Sequence, residues 1–370
     1  MCLDLSEKDY QMITRVPESP PIILEVPKNT RRPLWSVMIP VYNCLPFLEE
    51  TIQSVLMQDP GTHLMQIEVI DDFSTDGDVE ALVNKVGKGR VGYYRQPYNK
   101  GSLRNFETCL NRSVGHWIHM LHGDDKVLPG FYEEIQHLFT TYPTAGAAFT
   151  RHKLMEADSY EYIKTNPRVG HVAEKEGIVD NWLTLIAQRN RLQPPAIVVK
   201  RSVYEQLGGF FAVHFGEDWE MWVRIAASFP VVYSPKYMAA YRIHANNITS
   251  RSFVSGQTIK DINKVVRIIK NYIPLKDRQF LHLQARKNAS RYVISNTYKS
   301  FERHGKVLIT LKQAFNAYKM HPSGKNLYLI LKLFLKVMVH TSKNMITKKP
   351  ANKKSHSWSL SQLMEVRSKN

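Results

Sequence analysis

Three stretches, in chain order, constrain this sequence most: SVMIPVYN at 36–43, EVIDDFSTDGD at 68–78 and LHGDD at 121–125. Each is an apolar run that stops abruptly in Asn, Asp or Gly. Continuous runs of this kind, rather than alternating ones, fit strands covered on both faces, as in a parallel sheet with helices on either side. In such sheets ligands collect beyond the carboxyl ends of the strands. Asp71, Asp72, Asp124 and Asp125 all arrive at that one edge. Four carboxylates there repel one another unless a cation or a donor-rich ligand lies among them. The pattern points to a site for a nucleotide diphosphate with a divalent metal.

The residues between these runs alternate helix and strand. PFLEETIQSVLMQ at 46–58 puts Leu48, Ile52, Val55 and Leu56 on one helical face, with Pro46 in the first turn. Helices at 78–86 and 102–113, and strands at 91–96 and 116–121, continue the alternation. A helix at 130–141 and a strand at 145–150 follow. Polar residues 151–177 read as a flexible loop near the site. A helix at 178–189 then leads to QPPAIVVKRSVYEQLGGF (193–210), a strand and a short helix. This order predicts an α/β domain over 34–250, a mostly parallel sheet flanked by helices. Residues 1–33 carry Pro17, Pro20, Pro21, Pro27 and Pro33. These forbid a long helix and predict an irregular lead-in with one short strand at 22–26.

Composition bounds the rest. With 370 residues, 43% of them hydrophobic, the chain can bury a full α/β core and carry a second unit, which excludes wholesale disorder. Cys2, Cys44 and Cys109 are too few and too scattered for a disulfide framework or a zinc site, and fit a reducing compartment. MCLDLSEKDY has neither a basic n-region nor an apolar h-region, so no secretory signal is expected.

The net charge of +17 is unevenly placed. Residues 251–370 hold 25 lysines and arginines against Asp261, Asp277, Glu302 and Glu365, an excess of +21, and 1–250 carry −4. The basic part, 251–370, reads as a helical extension, with periodicity at 258–272, 279–300 and 306–319. Near 327–343 it forms an amphipathic helix with Lys332, Lys336, His340 and Lys343 on one stripe and Leu, Ile, Phe and Val opposite. That segment falls short of the ~20 apolar residues of a membrane span. It fits either an interfacial helix on an anionic membrane or a helix packed on its own domain with a solvated lysine stripe.

Taken together, IPVYN, IDDFSTDG, NKGSLRN, HGDD, LGGF, GEDWEMW and YRIH, in this order over about 35–250, resemble an inverting family 2 glycosyltransferase. The resemblance implies the GT-A (nucleotide-diphospho-sugar transferase) fold. It also implies metal-assisted transfer of a sugar from a nucleotide-sugar donor to an acceptor hydroxyl.

The site residues follow from the same motifs. Pro40 and Tyr42 border the donor, the tyrosine ring offering a face to a nucleobase. Asp72 inherits the base-binding role, while Asp71, Ser74, Thr75 and Asp76 hold the turn. Asn99 resembles a base- or ribose-contacting asparagine, and Arg104 supplies a cationic fork. In HGDD the usual first aspartate is replaced by His122, which is read as structural. Asp125 is expected as the first ligand of Mg2+ or Mn2+, with Asp124 supporting it at the donor. Asp218 is the expected catalytic base, with Glu217 beside it. Trp219 is expected at the sugar pocket and Trp222 in the core. Arg242 is expected at the diphosphate and His244 at the metal.

A UDP-sugar is the favoured donor by the resemblance, and a glycan or lipid-linked acceptor of surface polysaccharide or glycolipid assembly is the expected partner. The chain is expected to be cytoplasmic, and peripheral on the inner face of the membrane if its basic helix is the interfacial kind rather than packed on its own domain. Two other classes stand beside this reading. One is a catalytically inactive nucleotide-sugar-binding protein. The other is a nucleic-acid binder using the basic region, against which stands the absence of any recognisable binding module or regular aromatic spacing, so that no specific nucleic acid is expected.

Overall fold

The computed structural model describes residues 14–163 and 172–347. All seven residues of strand β1 (Trp35–Val41) are buried. Helix α1 (Leu45–Leu56) follows, then β2 (Met65–Asp71), α2 (Val79–Gly87), β3 (Gly92–Arg95), α3 (Ser102–Arg112) and β4 (Trp117–Met120). The apolar runs therefore form strands that stop where their polar residues begin. β3, β2, β1 and β4 pair in parallel in that order, giving one edge where every strand ends.

The second half widens this sheet. It contains β5 (Lys126–Val127), α4 (Phe131–Thr141), β6 (Ala147–Glu156), β7 (Glu161–Tyr162), β8 (Gly177–Ile178) and α5 (Trp182–Gln188). Then come β9 (Ile197–Lys200), α6 (Arg201–Leu207), α7 (Glu217–Ser228) and β10 (Val231–Ile243). β9 lies antiparallel between β4 and β6, so β6 again points the same way as β4, and β10 runs parallel to β6. The ends of β1, β2, β4 and β10 thus converge. α7 finishes where β10 starts, at the far edge, so its N-terminus points back to the converging side.

Three expectations need correction. No strand forms at 22–26. The Leu24 N–H instead donates to the Asn111 side chain and the Leu24 carbonyl accepts from Arg201, while Ile23 is buried in the core. The stretch expected to be loop from 151 continues β6 to Glu156 and adds β7 and β8. The long β10 was not foreseen, because Pro235 and Lys236 interrupt its pattern; its pairing with β6 shifts register around Tyr237, as a bulge allows.

Among the described residues five α-helices follow: α8 (Ile248–Ser255), α9 (Thr258–Ile269), α10 (Leu275–His304), α11 (Val307–Met320) and α12 (Gly324–Thr347). Ile259, Ile262, Val265 and Val266 of α9, and Leu281, Ala285 and Val293 of α10, share one buried cluster with Trp182 of α5 and Trp222 of α7. α12 packs through Leu333 and Val337 onto Phe301 of α10 and Ala314 of α11. No described helix is long and apolar enough to cross a membrane.

Candidate active site

The end of β1 organises the acidic rim. Consecutive carbonyls there accept from the loops on either side: Pro40 from the Gly123 N–H at 3.2 Å and Val41 from the Asp72 N–H at 2.8 Å. The Val-Tyr-Asn turn is braced from β2. Asn43, at φ 52°, accepts from the Thr75 N–H, and its own N–H donates to the Ser74 hydroxyl. Asp71 is fully buried and accepts from the Ser74 N–H, Tyr93 and Arg95. Tyr42 and Phe73 project at the rim, 38% and 40% exposed. Phe73 adopts φ 64°, costly for a large side chain, and Arg95 stacks on its ring at 4.7 Å.

Asp72 is buried in a cradle of donors. Its Oδ1 accepts from the Lys100 N–H at 2.7 Å; Oδ2 accepts from the Gly101 N–H at 2.8 Å and the Asn99 amide at 2.9 Å. Gly101, at φ 90°, makes this turn possible. Burial outweighs these donors and raises the carboxyl pKa to about 6. Asn99 also meets Arg15, a contact from the N-terminal lead-in. Arg104 pairs with Glu107 at 2.6 Å and donates to the Thr14 carbonyl at 3.0 Å. It thereby pins the lead-in beside the cradle.

The turn after β4 holds the second acidic group. Asp124 pairs with His244 at 2.8 Å and keeps 21% side-chain exposure. Despite burial, that bond and the nearby His122 hold its pKa below the usual range. Asp125 is 1% exposed, and its Oδ1 accepts from the Arg242 N–H at 2.9 Å. Burial and then the Asp124 charge push its pKa well up. Asp125 Oδ2 is buried without a partner among the described residues. His122, stacked on Phe106, offers a ring nitrogen within 4.8 Å of oxygens from both aspartates. An orphaned buried carboxylate oxygen beside a second carboxylate fits a hard divalent cation such as Mn2+ or Mg2+.

Arg242 lies inside this loop rather than on its surface. Its guanidinium, 1% exposed, donates to the carbonyls of Asp124 at 2.8 Å and Glu156 at 3.2 Å, and to Ser159 at 3.1 Å. It also pairs with Glu50 of α1 and covers the Phe47 ring. Burial raises the Glu50 pKa, but bonds from Lys126, Ser159 and Arg242 win and bring it to about 2.

Asp218 sits in the first turn of α7, after Gly216 at φ 89°. Its Oδ1 accepts from the Trp219 N–H and its Oδ2 from Asn190 at 2.7 Å. Burial raises its pKa to about 6. Burial and the Asp218 charge push Glu217 well above the carboxylate range. Trp219 is core rather than pocket: it is 6% exposed and donates to the Ile186 carbonyl at 2.7 Å. Trp222 is buried as expected. Tyr241 of β10, half-buried, feels the charges of Asp125 and Asp124. Tyr292 of α10 feels the charge of Asp218.

Pro40, Asp72, Asn99, Asp124, Asp125, Arg242 and His244 are thus joined by hydrogen bonds around the ends of β1, β2, β4 and β10. Asp218 and Glu217 reach the same edge from α7. Sequence reading missed Arg15, Glu50, Phe73, Asn190 and Tyr292. Of these, only Phe73 lies inside a motif, between the paired aspartates and the turn that follows them.

A mostly parallel sheet that gathers carboxylates at one edge in this order, with an Asp-Asp turn after β4 and an acidic helix start before the last long strand, has the layout of the GT-A fold. Residues 36–191 match the sequence model of Glycosyl transferase family 2. An uncharacterized glycosyltransferase of Haemophilus influenzae is 22% identical over 334 residues, 83% of this chain and 98% of that protein. Among solved structures, S. aureus TarS 1-349 in complex with UDP-GlcNAc superposes with a TM-score of 0.60 at 13% identity, over 78% of this chain and 81% of that one. The mannosyltransferase PcManGT of Pyrobaculum calidifontis, in complex with GDP-Man and Mn2+, gives 0.53 at 17% identity, over 88% and 90%. At these identities the two structures bear on the fold alone.

Proposed function

We propose that this chain transfers a sugar from a nucleotide-sugar donor, a UDP-sugar before others, to an acceptor hydroxyl with inversion, Asp218 acting as base. The observation that carries this reading is the single edge on which the buried Asp72, the Asp124–His244 pair and Asp218 converge. Asp72 faces the nucleobase. Asp218, poised near neutrality, takes the proton from the acceptor oxygen as that oxygen attacks the anomeric carbon and the bond to the diphosphate breaks. Asn190 fixes the carboxylate for this step. Asp124 and His244, with Asp125 beneath them, would hold Mg2+ or Mn2+, whose charge offsets that on the leaving diphosphate. Arg242 acts from inside, holding the Asp124 loop against α1. The ligands of the two solved relatives, UDP-GlcNAc and GDP-Man with Mn2+, support donors of this kind.

The test is release of nucleoside diphosphate from UDP-, dTDP- and GDP-sugars with and without Mn2+, followed by stereochemical analysis of the product. Metal-dependent release from one class, lost in Asp218→Asn, is expected. Release unchanged by Asp218→Asn would remove the base assignment.

The acceptor we propose is a glycan or lipid-linked alcohol met at an anionic membrane. α12 supports this. Its packed side is Asn326, Leu333 and Val337, whereas Leu327, Leu331, Phe334, Leu335 and Met338 stay exposed beside Lys332 and Lys336. An apolar face bordered by lysines suits an interfacial helix.

A further inference from the structure

The N-terminal lead-in brings a cation to the nucleobase end of the rim. Arg15 meets the Asn99 side-chain oxygen, and it lies so close over Gly101 that a Cβ there would be 3.1 Å from Arg15 Nε. The segment behind it is firmly seated. Arg104 donates to the Thr14 carbonyl at 3.0 Å, the Ala212 N–H to Pro17 at 2.9 Å and the Gly209 N–H to Pro21 at 2.8 Å. Pro17 is buried, and Val16 packs on the main core. All of this precedes the family 2 segment, which starts at residue 36.

The free capacity at this point is specific. Among the described residues Asp72 Oδ1 accepts from the Lys100 N–H alone, which leaves it an open lone pair. A guanidinium has five N–H donors, and Asn99 occupies one side of this one. An acceptor and a donor fork therefore stand next to each other. We propose that Arg15 is a nucleobase-recognition residue which, with Asp72, reads a ring N–H beside a carbonyl, the lactam edge of uracil, thymine or guanine. Asp72 accepts from the ring N–H and Arg15 donates to the neighbouring oxygen. Cytosine and adenine present the reverse pattern, a bare ring nitrogen beside an amino group, and meet Asp72 lone pair to lone pair and Arg15 hydrogen to hydrogen. The inference rests on the reading of the rim as a nucleotide-sugar site and adds to it a base filter supplied from outside the family segment.

Calorimetric titration of the full chain with UDP, GDP, dTDP and CDP, with and without Mn2+, tests it. Wild type is expected to prefer UDP, dTDP or GDP over CDP. Arg15→Ala should weaken the preferred nucleotide about tenfold and bring its ratio to CDP towards one, with Arg15→Lys between. The melting temperature should hold, because the side chain is exposed. An unchanged ratio overturns the inference, whether affinity is retained, falls equally for all four nucleotides or rises. A rise would mean that the side chain blocks the site. Wild type binding none of the four would instead defeat the nucleotide-sugar reading beneath it.

Discussion

Asp72 and Asp218 each carry a pKa raised to about 6, and both shifts come first from burial. The folded chain therefore binds these protons more tightly than the unfolded chain, whose aspartates titrate near pH ~4. Stability from this pair falls as pH rises through the window between the two values and is lowest above it, the reverse of a salt-bridged carboxylate. Activity follows the opposite course, since the base must be ionised. The rate should climb with pH through a midpoint near 6 and level off above it. Asp218→Asn should lower kcat by about 10²–10⁴-fold while the melting temperature at pH 8 is held or raised. A parallel loss of folding would reassign Asp218 to structure.

At the acidic turn, Asp124→Asn or His244→Ala should weaken Mn2+ binding about tenfold or more, measured by calorimetry without sugar donor. The carboxylates were legible because each closes an apolar run or opens a helix. Their partners were not. Arg15 is 57 residues from Asp72 in sequence, and Asn190 and Glu50 carry no local pattern that marks them.

At the scale of elements, the LGGF loop is where the lead-in meets the core. A Cβ on Gly208 would lie 2.7 Å from Pro20 Cβ and 2.9 Å from the Pro21 carbonyl, and its φ of +80° adds strain. Gly208→Ala should therefore cost about 1–3 kcal/mol in chemical denaturation. By loosening the lead-in it should also weaken UDP binding. The strands of the first half were readable from their continuous apolar runs. β10 was not, because a strand broken by Pro235 and paired through register shifts keeps neither an alternating nor an unbroken apolar signature. α10 was legible as a helix but not as a neighbour of the loop that holds Asn190, since only packing brings its Asn288 to the Gln188 carbonyl.

Over the whole molecule, charge and chemistry divide along the chain, with −4 over residues 1–250 and +21 over 251–370. Vesicles containing anionic lipid should retain the protein at low salt and release it as salt rises. Leu331→Ser with Leu335→Ser should abolish retention while leaving nucleotide affinity intact. Retention indifferent to both salt and these substitutions would dismiss α12 as the contact.

α10 joins these two halves. It is a single rod of 30 residues, which at the rise of an α-helix is about 45 Å long. Tyr292 on it lies within range of the Asp218 charge, and Phe301, nine positions on, receives α12. The two stations stand about 14 Å apart along a continuous axis. A surface gripped by α12 would therefore sit at a set height from the reacting oxygen, so that the reach of an anchored alcohol, and not only its chemistry, would decide which acceptors are served.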